Sequence, residues 1–212
     1  MTIERLPMLL FFGLPGSGKS TAAMKLEQKI EGYQRFSPDE ARREMGFTSY
    51  KRRDTPKVMR YVSGQITTCL EKGCGVILDS AFLSRETRQS YYNFAYEQGL
   101  DVVATYVTCS EQTALERIRS RPKSDGLHVP GRNARAYNKY RRRWEATHNR
   151  FGTFEQGFEQ IGYSGDINLA VNRHVAVLRY DTDTNTVEIK EKWLRPVLRQ
   201  YAENVRDILL QG

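Results

Sequence analysis

Gly13-Leu14-Pro15-Gly16-Ser17-Gly18-Lys19-Ser20, followed by Thr21, fits the pattern G-x-x-x-x-G-K-[ST], and the reading of the whole chain works outward from it. Glycine at these positions lets backbone N–H groups turn inward around an anion, and a helix that starts near Lys19 adds its positive end. The flanks suit that geometry. Pro7 to Phe12 reads as a buried strand, and Lys19 to Glu31 as a helix with Ala22, Ala23, Leu26 and Ile30 at helical spacing and Gly32 at its end. Gly13, Pro15, Gly16, Ser17, Gly18, Lys19, Ser20 and Thr21 are therefore the expected ATP-binding loop. Within it, Lys19 would bridge the β- and γ-phosphates, and the Ser20 hydroxyl would ligate Mg²⁺.

Downstream, strands and helices alternate. Tyr33 to Phe36 is a short strand, and Ser37-Pro38-Asp39-Glu40 opens a helix that runs to about Met45. Pro56 to Lys72 is a helix, Gly75 to Asp79 a buried strand, and Ser84 a cap for a helix ending near Gly99. Val102 to Thr108 is a β-branched strand, and Ser110 opens a helix to about Arg121. Glycine and proline recur from Pro122 to Asn133, which reads as a loop or lid before a basic helix from Ala134 to Thr147. Residues 150–172 give no clear period. Val175 to Tyr180 and Val187 to Lys190 are strands around a polar turn, and Pro196 to Leu210 is an amphipathic helix. This order predicts an α/β P-loop NTPase fold, with a mostly parallel sheet covered by helices on both faces. A single domain over 1–212 is expected, with an arginine-rich lid at about 117–135 and a C-terminal hairpin and helix at about 174–211.

Composition narrows the class. A chain of 212 residues with 39% hydrophobic content suits one packed domain rather than two, or a disordered chain. Cys69, Cys74 and Cys109 have neither metal-ligand spacing nor the even count of a disulfide framework, which fits a reducing cytoplasm. The longest apolar run, Met8 to Phe12, is far short of a membrane span, and the start of the chain lacks a signal-peptide pattern. The formal net charge is +8, yet Arg117 to Arg143 alone holds ten basic residues against the single acid Asp125. The basicity is thus one local feature. Its partner should be anionic: phosphate, on a nucleotide or along a nucleic acid backbone.

Two acids and one arginine stand out beyond the loop. Asp79 ends a buried strand, where an acid can meet the magnesium beside a phosphate loop. Asp39 follows the Tyr33–Phe36 strand by a few residues and should lie on the same sheet edge. Arg42, nearly one helical turn further on, faces the same way. A carboxylate for a proton and a guanidinium for an anion suit an acceptor hydroxyl next to a phosphate. A helix-start acid with an i,i+3 surface ion pair is the plainer alternative.

The phosphate loop, Ser37-Pro38-Asp39-Glu40-Ala41-Arg42, the stretch Asp79 to Arg88, and Glu116-Arg117-Ile118-Arg119-Ser120-Arg121 together resemble the kinase domain of polynucleotide kinases and related ATP-dependent P-loop kinases. The similarity covers about Met8 to Trp144. It implies that Asp39 is the general base, that Arg42 holds the acceptor phosphate, and that Arg121 stabilises the transferring phosphoryl. Arg117 is a second match for the lid arginine on the ATP side, Arg88 belongs with Arg42 on the acceptor side, and Asp79 closes the metal side with Ser20. The family often has Thr-Asn where this chain has Ala81-Phe82, which bears chiefly on the acceptor.

Other motifs fail. Asp181-Thr182-Asp183-Thr184 has Asn185 where an aspartyl-phosphatase motif wants Thr or Val, and as an EF-hand it lacks the turn glycine and the bidentate glutamate. A polar hairpin turn accounts for it. Tyr137, Tyr140 and Trp144 interleave with Lys139, Arg141, Arg142 and Arg143, a mixture that suits nucleic acid, yet their spacing of i, i+3 and i+7 equally suits core packing. A second basic cluster, Lys51-Arg52-Arg53 beside Tyr50, adds to the case for a polyanionic acceptor. The leading expectation is an ATP- and Mg²⁺-dependent kinase acting on the 5′-hydroxyl of DNA or RNA. A small-molecule kinase and an ATPase switch without an acceptor are the alternatives.

Overall fold

The computed structural model describes residues 5–82, 85–121, 134–142, 174–190 and 194–211. Its centre is a six-stranded sheet built from β1 (Met8–Phe12), β2 (Tyr33–Phe36), β3 (Gly75–Asp79), β4 (Val102–Thr108), β5 (Val175–Asp181) and β6 (Thr186–Lys190) in the order β2-β3-β1-β4-β5-β6. The first five strands are parallel, and only β6 pairs antiparallel, through the β5–β6 hairpin. This is the α/β fold expected from the sequence.

Both faces of the sheet are covered, which is why β1 reads as an unbroken apolar run rather than an alternation. Met8, Leu10 and Phe12 point to one face, against Val58, Val62 and Ile66 of α3 (Thr55–Glu71) and Tyr92 and Ala95 of α4 (Arg85–Glu97). Leu9 and Phe11 point to the other. There they meet Ala22, Ala23 and Leu26 of α1 (Lys19–Lys29) and Leu198, Ala202, Val205 and Leu209 of α6 (Pro196–Leu210). The α6 positions recur at i, i+4, i+7 and i+11, one helical stripe. Two shorter helices are α2 (Pro38–Glu44) and α5 (Glu111–Ser120), the latter capped by Ser110, whose hydroxyl accepts from the Thr113 N–H.

A helical segment at 134–142 completes a small satellite core, where Tyr137 is buried with Ala114 and Ile118. For Tyr137, packing is the better of the two readings. Trp144, Ser84, the 122–133 loop and residues 150–172 lie outside the described residues. No helix among the described residues is long and apolar enough to cross a membrane, and the three cysteines are free.

Register fixes where the functional residues gather. Phe11 pairs with Asp79 and Phe36 with Leu78, so β1, β2 and β3 end level with one another. The segments that leave those strands, Gly13–Gly18, Ser37–Asp39 and Ser80–Phe82, therefore emerge together at the carboxyl edge of the sheet, where such folds bind ligands.

Candidate functional site

The loop after β1 is shaped by what surrounds it. A Cβ at Gly13 would lie 2.2 Å from the Val107 carbonyl oxygen, and one at Gly16 would lie 2.4 Å from that of Ala114. Gly16 also has φ 83°, in the left-handed region that glycine tolerates without cost. Gly18, at φ 95°, is the residue from which α1 starts, and it carries no side-chain cap. The first N–H groups of α1 cannot be satisfied within the helix, so the loop presents uncapped donors and a positive dipole end. Lys19 and Ser20 are the first two residues of that helix, and the buried Ser17 Oγ has no hydrogen-bond partner.

Two groups brace the loop through its carbonyls. Arg117 of α5 donates from Nη1 to Thr182 Oγ1 at 2.7 Å and lies 3.4 Å from both Gly16 O and Ser17 O. The Thr182 hydroxyl in turn donates to Ser17 O at 3.1 Å. Next to it, Asp183 accepts from the Ser110 N–H at 2.7 Å, which holds its carboxyl below the usual range. The polar turn between β5 and β6 thus ties the phosphate loop to the start of α5. Sequence reasoning assigned this turn no part in the site. The contact from Thr182 to Ser17 spans 165 residues and leaves no local signal, although the neighbouring β4 and β5 carry the turn to the same sheet edge.

Beside the loop, Asp79 ends β3 with its side chain 2% exposed. Its Oδ2 accepts from Arg35 Nη1 at 3.2 Å, while Oδ1 is buried without a hydrogen-bond partner. Burial pushes the Asp79 pKa up; Lys19, Ser20 and Arg35 oppose the rise, and the nearby Asp39 adds to it. The fold therefore brings Lys19, Ser20, Asp39 and Asp79 within electrostatic reach of one another. Arg35 is a second residue that the sequence did not single out. From the middle of β2 it pairs with Glu27 at 3.3 Å, with Glu40, and with Asp79. Burial works against its charge and these carboxylates outweigh it, so its pKa is raised. A charged residue in a four-residue strand bounded by buried Tyr33 and Phe36 was the available clue.

A second group lies within electrostatic reach of Asp79. The Asp39 side chain is 57% exposed at the start of α2, and its Oδ1 accepts from Arg42 Nη1 at 3.3 Å. The Arg42 side chain is only 5% exposed. Arg88 is placed differently from Arg42: it is buried, donates to the Phe82 carbonyl at 2.9 Å, and lies with its guanidinium 5.3 Å over the Phe12 ring. It braces the turn after β3 from inside. In that turn Phe82 has φ 38° and packs its ring against Tyr91 at 4.9 Å. Phenylalanine pays for a left-handed backbone at this position, which asparagine tolerates better. Arg121 follows α5 as its C-cap residue.

The donors suit a nucleotide with a divalent cation. The cradle at Gly13 and Gly16 has no room for a side chain, the α1 N-terminus is uncapped, and the buried Asp79 Oδ1 is an unused oxygen next to Ser20.

Comparison with known proteins agrees on the fold. The model of a family described as AAA domain matches residues 8–146. A protein in the structure of the Pnkp1/Rnl/Hen1 RNA repair complex superposes with a TM-score of 0.57 at 21% identity, over 71% of this chain and 48% of that one. A second Pnkp1/Rnl/Hen1 complex gives 0.50 at 21% identity, over 58% and 42%. A protein of the PezAT chromosomal toxin-antitoxin system of Streptococcus pneumoniae gives 0.54 at 11% identity, over 100% and 90%. The chain spans about half the length of the first two. No curated protein matches it.

Proposed function

The chain belongs to this AAA-domain family of P-loop kinases, and from that premise we propose that it transfers the γ-phosphate of ATP to the 5′-hydroxyl of DNA or RNA. One observation carries the reading. An exposed carboxylate, Asp39, is hydrogen-bonded at 3.3 Å to a buried guanidinium, Arg42, on the same sheet edge as the phosphate loop. A nucleoside triphosphatase that uses water has no need for such a pair, whereas a 5′-hydroxyl lies close to a phosphate in any strand and requires both a base and an anion site.

In this reading the loop from Gly13 to Thr21 holds the triphosphate, with Lys19 on the β- and γ-phosphates. The acceptor oxygen attacks the γ-phosphorus in line with the bridging oxygen to the β-phosphate. The new P–O bond forms as the bridging P–O bond breaks, ADP leaves with the electron pair, and the hydroxyl proton passes to an Asp39 carboxylate oxygen. Lys19 and Arg121 offset the negative charge on the transferring group. Arg117 keeps the loop in shape through Gly16 and Ser17, and Thr182 shares that task. Ser20 and Asp79 would hold magnesium, which supplies Lewis-acid neutralisation of the phosphates. Arg35 holds one oxygen of the Asp79 carboxylate and, with Lys19 and Ser20, opposes the rise that burial imposes on its pKa. Arg42 receives the acceptor phosphate, and Arg88 supports the acceptor side from below the Phe82 turn. In this reading the chain acts as one domain, and the expected lid at about 117–135 lies in part outside the described residues.

The test is transfer of labelled γ-phosphate to a 5′-hydroxyl oligonucleotide, beside a nucleoside and sugar mixture and a control without acceptor. Label on the oligonucleotide that Asp39→Asn abolishes supports the proposal. Label only on a small acceptor, or only as free phosphate, overturns the acceptor.

A further inference from the structure

The end of α3 closes in a turn that sets two cysteines side by side. The Cys74 N–H donates to the Cys69 carbonyl at 3.0 Å and the Gly73 N–H to the Leu70 carbonyl at 3.0 Å, while Gly73 holds φ 75°. Paired bonds of this kind around a left-handed glycine make a Schellman turn, which brings the side chains of its first and last residues together. Those residues are Cys69 and Cys74, and their thiols lie within hydrogen-bond reach of each other. The turn is anchored from outside as well. Cys69 Sγ donates to the Gly75 carbonyl at 3.5 Å, and the Gly75 N–H donates to the Gly32 carbonyl at 2.7 Å.

The two sulfurs differ in setting. Cys69 is buried among Ile66 and Val76, whereas Cys74 is half-buried at the rim of that cluster. Cys69 also lines a groove with Gln34, Gln65 and Lys72, so a small reagent can approach the pair. Burial pushes the Cys69 thiol up to about 12, with Cys74 adding to the rise and Lys72 opposing it. The thiolate that meets an oxidant first is therefore that of Cys74. Cys109 stands apart from both, with its Sγ 3.8 Å from the Gly16 carbonyl oxygen.

We propose that Cys69 and Cys74 form a redox site, a dithiol that hydrogen peroxide closes to a disulfide and a thiol reductant reopens, stapling the end of α3 to the start of β3. In the first step the Cys74 thiolate attacks one peroxide oxygen, the O–O bond breaks, hydroxide leaves, and Cys74 becomes a sulfenic acid. In the second, the Cys69 thiol loses its proton and its sulfur attacks that of Cys74. The S–O bond breaks, and the departing hydroxide takes the proton as water. Two thiols are oxidised and one peroxide is reduced to two waters. The staple lies before β3, at the sheet edge opposite the one that carries the phosphate loop.

The experiment treats the folded protein with hydrogen peroxide, blocks the remaining thiols and maps the tryptic fragments by mass. Cleavage after Lys72 separates the two cysteines, so a disulfide between them holds fragments 61–72 and 73–85 together. These should appear joined, come apart with dithiothreitol, and form equally in Cys109→Ser. Cys69→Ala should leave Cys74 as a sulfenic acid that dimedone traps, and Cys74→Ala should leave Cys69 a free thiol. The oxidised wild type should unfold about 3–6 °C above its reduced form. Fragments that stay separate, or a disulfide that recruits Cys109, overturn the site, and the wild-type map decides this whether or not either variant folds. A joined pair with an unchanged or lower unfolding temperature overturns the staple.

Discussion

The two halves of the site are built on different principles. On the nucleotide side, backbone does the shaping: Gly13 and Gly16 press against carbonyl oxygens, and Arg117 and Thr182 hold the loop through its own carbonyls. On the side proposed for the acceptor, side chains do it, with an Asp39 more than half exposed and a buried Arg42 whose Nε has no hydrogen-bond partner among the described residues. A backbone cradle fits any polyphosphate and tolerates little change. A cluster of side chains can be retuned by single substitutions, so a family with one donor can serve many acceptors.

Substitutions on the nucleotide side should therefore act on every acceptor alike, and those on the acceptor side should spare ATP binding. The largest effects belong to Lys19→Ala and Arg121→Ala, which remove cationic stabilisation of the transferring group and should each lower kcat by roughly a thousandfold or more with any acceptor. Single-turnover kinetics checks this, and near-wild-type rates would break the donor assignment. Asp39→Asn should lower transfer by about a hundred- to ten-thousandfold with unchanged ATP affinity, read by nucleotide titration. Gly16→Ala should abolish nucleotide binding or prevent folding, because its Cβ would sit 2.4 Å from the Ala114 oxygen and φ 83° costs a side chain about 1–2 kcal/mol more. Asp79→Asn should lose transfer, yet the ligand-free protein should unfold at the same temperature as wild type or higher. It removes a carboxylate whose charge burial disfavours, while Arg35 keeps Glu27 and Glu40. Thr182→Val should have the smallest effect. It deletes one hydroxyl between loop and turn at a cost of about 1 kcal/mol, roughly a fivefold rise in the KM for ATP.

The same contrast explains what could be read from sequence. Glycine spacing declares a backbone requirement, so the loop, the strand before it and the helix after it were legible from Gly13 to Ser20. Asp79 followed from the apolar run Gly75 to Leu78, and α6 from the stripe of Leu198, Ala202, Val205 and Leu209. Thr182 and Arg35 were not legible, because their roles depend on partners distant in sequence: Ser17 for one, Glu27 and Asp79 for the other. Arg88 was legible as a matched residue but not as a buried prop, since its direction is set by the Phe82 carbonyl and the Phe12 ring. Tyr50 stood out only as an aromatic beside a basic run. Its contact with Arg42 required the loop to fold back over α2.

The most direct test of the account is a single-turnover transfer assay that presents an equimolar 5′-hydroxyl oligonucleotide and a nucleoside mixture to wild type and Asp39→Asn, with ATP affinity measured on the same preparations. Label should appear on the oligonucleotide in the wild type and be lost in Asp39→Asn, with equal ATP binding in both. Label on the oligonucleotide that persists in Asp39→Asn would contradict the assignment of the base, and label confined to the nucleosides would contradict the acceptor.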